Sequence, residues 1–386
     1  MKYLAISVVL FAEWAIACGS GSESSNVDAR VDSLSIDASG VLMVSTVAGT
    51  GEASFADGDG ANAKLNGPIG IAAFGNRVFV ADELNHRIRM LECTGSTCTV
   101  NTIAGTGAPG FMNGAGSTAK FNHPVGVTVQ AASGSTLDLL IADYSNHRVR
   151  KVSCAGAPSM ATCNVETFAG AGTPGSTNGA AATATFNGPS GVDVAADGTI
   201  YVADTNSQKI RKITCAGTCN VETLAGTGGT GHMDGPAAAA IFNTPVDVAV
   251  DGSGAVFITE WLNMMVRKID VGSVSTYAGT GLEDYVDGPI DTAAFAHPRA
   301  LVFDNQHRLL IADQGNHRIR MIDGGNALTL AGSGMTGPPD FGGGGFADGP
   351  AAMAMFKSPR GIAIDGLGRI FISDTDNNRI RMLAYH

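Results

Sequence analysis

The sequence predicts an all-β chain folded as a six-bladed β-propeller, and three observations predict it. One phrase recurs six times, each recurrence holds short β-prone segments separated by turn residues, and glycine supplies 52 of the 386 residues. Recurrence at a nearly fixed interval marks an architecture whose units bury their apolar faces only against one another. Four short antiparallel strands per unit, punctuated by Gly, Pro, Asn and Asp, suit a propeller blade. Hydrophobic residues make up 44% of the chain and charged residues only 15%, which fits a large core with tight turns.

In chain order, residues 1–17 come first. Met1-Lys2 is followed by an apolar run from Tyr3 to Ala12 and by Ala15-Ile16-Ala17, the pattern of an export signal too short to span a membrane. Cys18, directly after the expected cut, resembles the acylated cysteine of a bacterial lipoprotein lipobox. That resemblance implies a lipid anchor at Cys18 and attachment to the outer membrane or cell surface, the alternative being a periplasmic or secreted protein. Residues 18–39, rich in Ser, Gly and Asp, read as a solvated tether, and the propeller takes residues 40–386.

Each repeat opens with a β-prone segment ending in Ala-Gly, first at Thr46-Val47-Ala48-Gly49 and last at Thr329 to Gly332. A glycine-rich loop follows, usually with Asp-Gly or Asn-Gly, as at Asp57, Asp234, Asp287 and Asp348, where a glycine-permitted turn is expected rather than a calcium loop. The loop ends in an apolar anchor and a proline: Leu65 with Pro68, Phe121 with Pro124, Phe186 with Pro189, Phe242 with Pro245, Phe295 with Pro298 and Phe356 with Pro359. The innermost strand starts at that proline. A second strand ends in an acid, at Asp82, Asp143, Asp204, Glu260, Asp313 and Asp374, spaced by 61, 61, 56, 53 and 61 residues. A third strand, such as Ile88-Arg89-Met90, closes the phrase. The first Ala-Gly strand precedes any complete unit and the last unit ends after its third strand, so the N-terminal strand is expected to close the ring on the last blade, removing an open edge.

Asn85-His86-Arg87-Ile88, Asn146-His147-Arg148-Val149 and Asn316-His317-Arg318-Ile319 resemble the NHL motif, and Asn377-Asn378-Arg379-Ile380 is a near match. Ser207-Gln208-Lys209 and Asn263-Met264-Met265 depart from it. The resemblance implies NHL-type propeller blades across residues 44–386.

Six cysteines fall as three local pairs, Cys93 with Cys98, Cys154 with Cys163 and Cys215 with Cys219, each at the same point of successive repeats. Equivalent hairpins closed by equivalent disulfides are expected, which places the chain in an oxidising compartment.

A formal net charge of −11 argues against nucleic-acid binding. The repeated acids and histidines read as turn chemistry because every blade carries them. Fourteen of the 24 basic residues lie in the third strands without interleaved aromatics, and read as a ring of ion pairs. Function is expected where one blade breaks the rule. Trp261, Met264, Met265, Arg299 and Arg360 are candidate ligand-binding residues on the long-loop face of a binding or scaffold module for a protein, glycan or small ligand. No cofactor is expected on that reading. The chain is expected to be monomeric and to meet membrane only through its lipid. Resemblance to gluconolactonase-type and amidating-lyase-type propellers implies an alternative, a metal-dependent hydrolase or lyase. It would hold one calcium or zinc ion among His123, Asp193, Asp247 and His297, with catalysis by His123, Asp247, His297, Arg299 and Arg360.

Overall fold

A computed structural model describes residues 40–133, 136–334 and 344–385, so the expected signal, tether and Cys18 lie outside the described residues. Six antiparallel sheets follow one another around a central channel. Their innermost strands are Pro68–Phe74, Pro124–Ser133, Pro189–Val194, Pro245–Val250, Pro298–Phe303 and Pro359–Ile364, and each starts at the repeated proline. Proline presets an extended backbone and its missing N–H costs nothing at a strand's first residue.

Each sheet holds five strands where four were expected. The fifth is a two-residue strand from the glycine-rich loop, as at Gly58–Asp59, lying on the sheet's outer edge. Its first residue is always glycine, with φ between 124° and 138° at Gly58, Gly114, Gly179, Gly235, Gly288 and Gly349, a backbone that other residues rarely adopt. That requirement explains the Asp-Gly and Asn-Gly pairs.

The sixth sheet is assembled from both ends of the described chain. Leu42–Ala48 pairs antiparallel with Arg379–Tyr385, with Leu42 opposite Tyr385 and Val44 opposite Leu383. The three cysteine pairs are disulfides, Cys93–Cys98, Cys154–Cys163 and Cys215–Cys219. Strand directions put these hairpins on the face opposite the long loops.

Blades stick to one another through apolar clusters rather than through a single central core. One cluster joins Phe79, Ile88 and Met90 of blade one to Phe121, Leu139 and Ile141 of blade two. Another joins Val47 and Phe371 of blade six to Val78 and Val100 of blade one. The anchors Leu65, Phe121, Phe186, Phe242, Phe295 and Phe356 are all within 1% of complete burial, each worth roughly 1.5–3 kcal/mol. Near the axis the inner strands approach so closely that a Cβ on Gly70, Gly126 or Gly361 would run into the carbonyl of Val125, Ser190 or Ile69.

Candidate functional site: the channel mouth

The acid that ends each second strand is fully buried and paired with an equally buried arginine seven residues later. Asp82–Arg89, Asp143–Arg150, Asp204–Arg211, Glu260–Arg267, Asp313–Arg320 and Asp374–Arg381 lie 2.6–2.9 Å apart. Burial pushes the Asp82 carboxyl up, opposed by the Arg89 guanidinium and by hydrogen bonds from Asn85 and the Asn66 N–H. Arg89 also donates to the Lys64 and Ala56 carbonyls and to Asp57. The Asp-Gly loop acid is therefore the second partner of the buried arginine as well as a turn residue. These ion pairs lie within a blade, across neighbouring strands and its own loop.

The histidine of the Asn-His-Arg turn ties one blade to the next. His86, His147, Gln208, His317 and Asn378 all have left-handed backbones, with φ between 51° and 55°. Each side chain accepts the backbone N–H of the residue before the next blade's proline. His123, Gly188, Thr244, Ser358 and Gly67 donate to them at 3.2, 3.1, 2.6, 3.0 and 2.9 Å respectively. Burial lowers the pKa of His86 and His147, which keeps the imidazole neutral and able to accept. Gln208 and Asn378 thus preserve the chemistry of a position whose letter they change. Blade four places the Met264 thioether there instead.

Loop aromatics cover the motif arginines. Arg87 lies 3.7 Å from the Phe55 ring, Arg148 3.9 Å from Phe111, Arg318 3.8 Å from Tyr285 and Arg379 3.9 Å from Phe346. Blades three and four have Lys209 and Met265 in the arginine's place, and there Ser176 and His232 stand where the aromatic would be. No aromatic interleaves with these basic residues along the third strands, and each ring comes instead from the preceding loop, about thirty residues upstream of its arginine.

Trp261, singled out in sequence as a candidate ligand-binding residue, is half-buried. Its Nε1 donates to Gln314 Oε1 at 3.2 Å and its ring lies 4.6 Å from that of His297, so it packs on blade five. Met264 and Met265 are also half-buried, while Leu262 of the same turn is 44% exposed.

The proposed metal ligands do not come together. His123 and His297 precede the prolines of blades two and five, with Nδ1 at 3.1 Å from Glu83 and 3.4 Å from Glu283 respectively. Asp193 and Asp247 lie further along the inner strands, where each accepts a backbone N–H of the next blade, from Val250 at 2.9 Å and Leu301 at 3.2 Å. Burial pushes Asp193 up to about 6 and Asp247 up to about 7, with mutual repulsion adding to the latter. Among the described residues no three His, Cys, Asp or Glu side chains gather as metal ligands, so this set does not fit one shared ion. The alternative catalytic set divides in the same way, with the histidines at their own carboxylates.

Arg299 and Arg360 do come together. Each is one residue after its proline, on the adjacent inner strands of blades five and six, where the other blades have Ile69, Val125, Ser190 and Val246. Burial, then the Arg360 charge, push Arg299 down to about 10, and Glu83 and Asp247 oppose this. With Asp247 they line a cavity of about 50 Å³ on the channel axis. A wider cavity of about 370 Å³, lined by Asp193, Asp247 and apolar residues, opens below toward the hairpin face. Sequence reasoning missed Glu83 and Tyr144, which reach the same mouth from the turns of blades one and two. Their common place directly after the strand-end acid was the available signal.

Residues 41–232 match the family model for the Teneurin NHL domain, and residues 356–382 match the NHL repeat. The chain is 29% identical over 294 residues to Protein SUPPRESSOR OF QUENCHING 1, chloroplastic, of Arabidopsis thaliana, covering 72% of this chain and 27% of that protein. It is 26% identical over 357 residues to NHL repeat-containing protein 2 of Bos taurus, covering 82% and 46%. The chain thus spans less than half the length of these curated relatives. A Bacteroides thetaiotaomicron protein of unknown function superposes with a TM-score of 0.66 at 19% identity, over 90% of this chain and 76% of that one. An auxiliary nutrient binding protein of the same organism superposes with a TM-score of 0.64 at 17% identity, over 90% and 77%. These two likenesses establish the fold.

Proposed function

The chain belongs to the NHL-repeat β-propellers, and on that premise we propose that it is an exported, lipid-anchored binding module that takes a small ligand at the channel mouth on its long-loop face. One observation carries the reading. The chemistry that repeats from blade to blade is consumed in ion pairs and inter-blade ties, whereas the mouth is where the blades differ, in Glu83, Tyr144, Trp261, Arg299 and Arg360. A site grafted onto a regular scaffold has this form. The name of the auxiliary nutrient binding protein, which shares the fold, is in keeping with it.

Export is supported by the three disulfides and by the Ala15-Ile16-Ala17-Cys18 run. No helix of the described residues is long and apolar enough to cross a membrane. Mass spectrometry of the protein purified from a bacterial host tests the anchor. A diacylated or triacylated Cys18 at the N-terminus is expected; an unmodified Cys18 in the membrane-associated protein would overturn it. The binding reading is tested through Trp261. With Trp14 changed to Phe, Trp261 is the sole tryptophan of the two in the chain, and ligands at the mouth should shift its fluorescence saturably. No response to any of a broad panel of neutral and charged metabolites would count against the mouth as a site.

A further inference from the structure

We infer that Arg299 and Arg360 form a receptor for an oxyanion, the carboxylate or phosphate group of the ligand taken at the mouth; this rests on the binding reading above.

These two arginines differ from those the fold uses. Arg89, Arg150, Arg211, Arg267, Arg320 and Arg381 each spend both terminal nitrogens on acids or amide oxygens and loop carbonyls, as with Arg150 and its partners Asp143, Asn113, Lys120 and Met112. Arg308 and Arg369 donate to Asp304 and Asp365 at 2.6 and 2.7 Å. Among the described residues the Arg299 guanidinium has no hydrogen bond or ion pair. The terminal nitrogens of Arg360 make no hydrogen bond among the described residues, and its one ion pair is long, Nη2 to Asp376 at 3.7 Å. A guanidinium is a rigid fork of donors matched to carboxylate and phosphate, and two side by side with those donors unspent invite such a group.

Neighbouring acids do not supply it. Glu83 is engaged by His123 Nδ1 at 3.1 Å. Asp247 spends an oxygen on the Leu301 N–H. Its elevated pKa, near 7, leaves it only partly charged at neutral pH. The two guanidiniums therefore keep terminal donors at the mouth that these acids do not fill, on a protein of net charge −11. Like charges held together and half out of water cost stability unless a counter-charge joins them. The cavity beside them, about 50 Å³, takes roughly three to five waters at about 10–15 Å³ each, the scale of one oxyanion headgroup.

The test titrates inorganic phosphate and acetate, separately and at constant ionic strength, into the Trp14→Phe protein. Trp261 fluorescence and the unfolding temperature are read for that protein and for Arg299→Gln, Arg360→Gln and Arg308→Gln. The last removes one positive charge away from the mouth. Saturable responses in the parent and in Arg308→Gln are expected, with affinity at least tenfold weaker in each mouth variant. The tighter of the two probes identifies a phosphate or a carboxylate headgroup. Without ligand, Arg299→Gln is expected to unfold at the same temperature or higher, whereas an arginine serving the fold would lower it. Equal binding by the mouth variants would overturn the proposal. So would neutral ligands that shift Trp261 while neither anion does, an outcome that keeps the binding reading. Silence toward every ligand would remove both.

Discussion

Asp247→Asn isolates the electrostatics of the inner channel. Asp247 stands where the inner strands of blades one, two, three and six carry glycine, and it bonds to the Leu301 N–H. Burial, followed by the nearby Asp193 charge, raises its pKa from 3.8 to about 7, with Arg299 pulling the other way. A carboxyl whose folded pKa is raised holds its proton in the folded state after the unfolded chain has lost it. Stability therefore falls as pH rises from about 4 to about 7 and is level above that. Three pKa units at about 1.36 kcal/mol each set a ceiling near ~4 kcal/mol, and water in the open channel screens this to ~2 kcal/mol. Asparagine keeps the acceptor for Leu301 and cannot ionise. Urea unfolding followed by circular dichroism should show the variant level with the parent at pH 4 and more stable by ~2 kcal/mol at pH 8. A difference that does not change with pH, or a variant less stable at pH 8, would refute the reasoning.

Other expectations concern the scaffold. Arg150→Met leaves Asp143 buried without its partner and should cost about 3–5 kcal/mol in equilibrium unfolding, much of it recovered by adding Asp143→Asn; a loss under ~1 kcal/mol would contradict the ion-pair reading. His147→Ala removes the acceptor of the Gly188 N–H and should cost ~1–2 kcal/mol in the same assay, while His147→Gln, which copies Gln208, should stay near the parent. Removing residues 40–48 exposes the partners of Val44 and Val47, a loss of ~5 kcal/mol, and calorimetry should find the unfolding temperature lower by on the order of 10 °C.

The blades were legible because their signals are local and repeated. Proline, the apolar anchor and the strand-end acid recur in step, so strand order followed from spacing alone. The fifth strand was not legible: two residues such as Gly58 and Asp59 carry no alternation, and their pairing with Thr99 and Val100 depends on a loop folding back about forty residues. The acid and arginine seven apart in every blade, including Glu260 with Arg267, could have been read as one unit, since the spacing survives even where the acid changes. The inter-blade tie was hidden for a different reason. Its donor is a backbone N–H, which leaves no mark in composition, so Gln208 and Asn378 looked like lapses from a motif whose work they still perform. At the mouth, sequence irregularity singled out Arg299 and Arg360 but grouped them with His123, Asp193, Asp247 and His297. Depth along a strand, which separates the acids from the histidines, is a property of the closed ring and not of the repeat.

The pairing of Leu42 with Tyr385 also fixes where the described chain enters the ring. Leu42–Ala48 runs from the hairpin rim toward the long loops, so the described chain enters at the rim remote from the arginines. Any attachment made through the leading segment would therefore join the ring at the hairpin rim, the end of the channel away from Arg299 and Arg360.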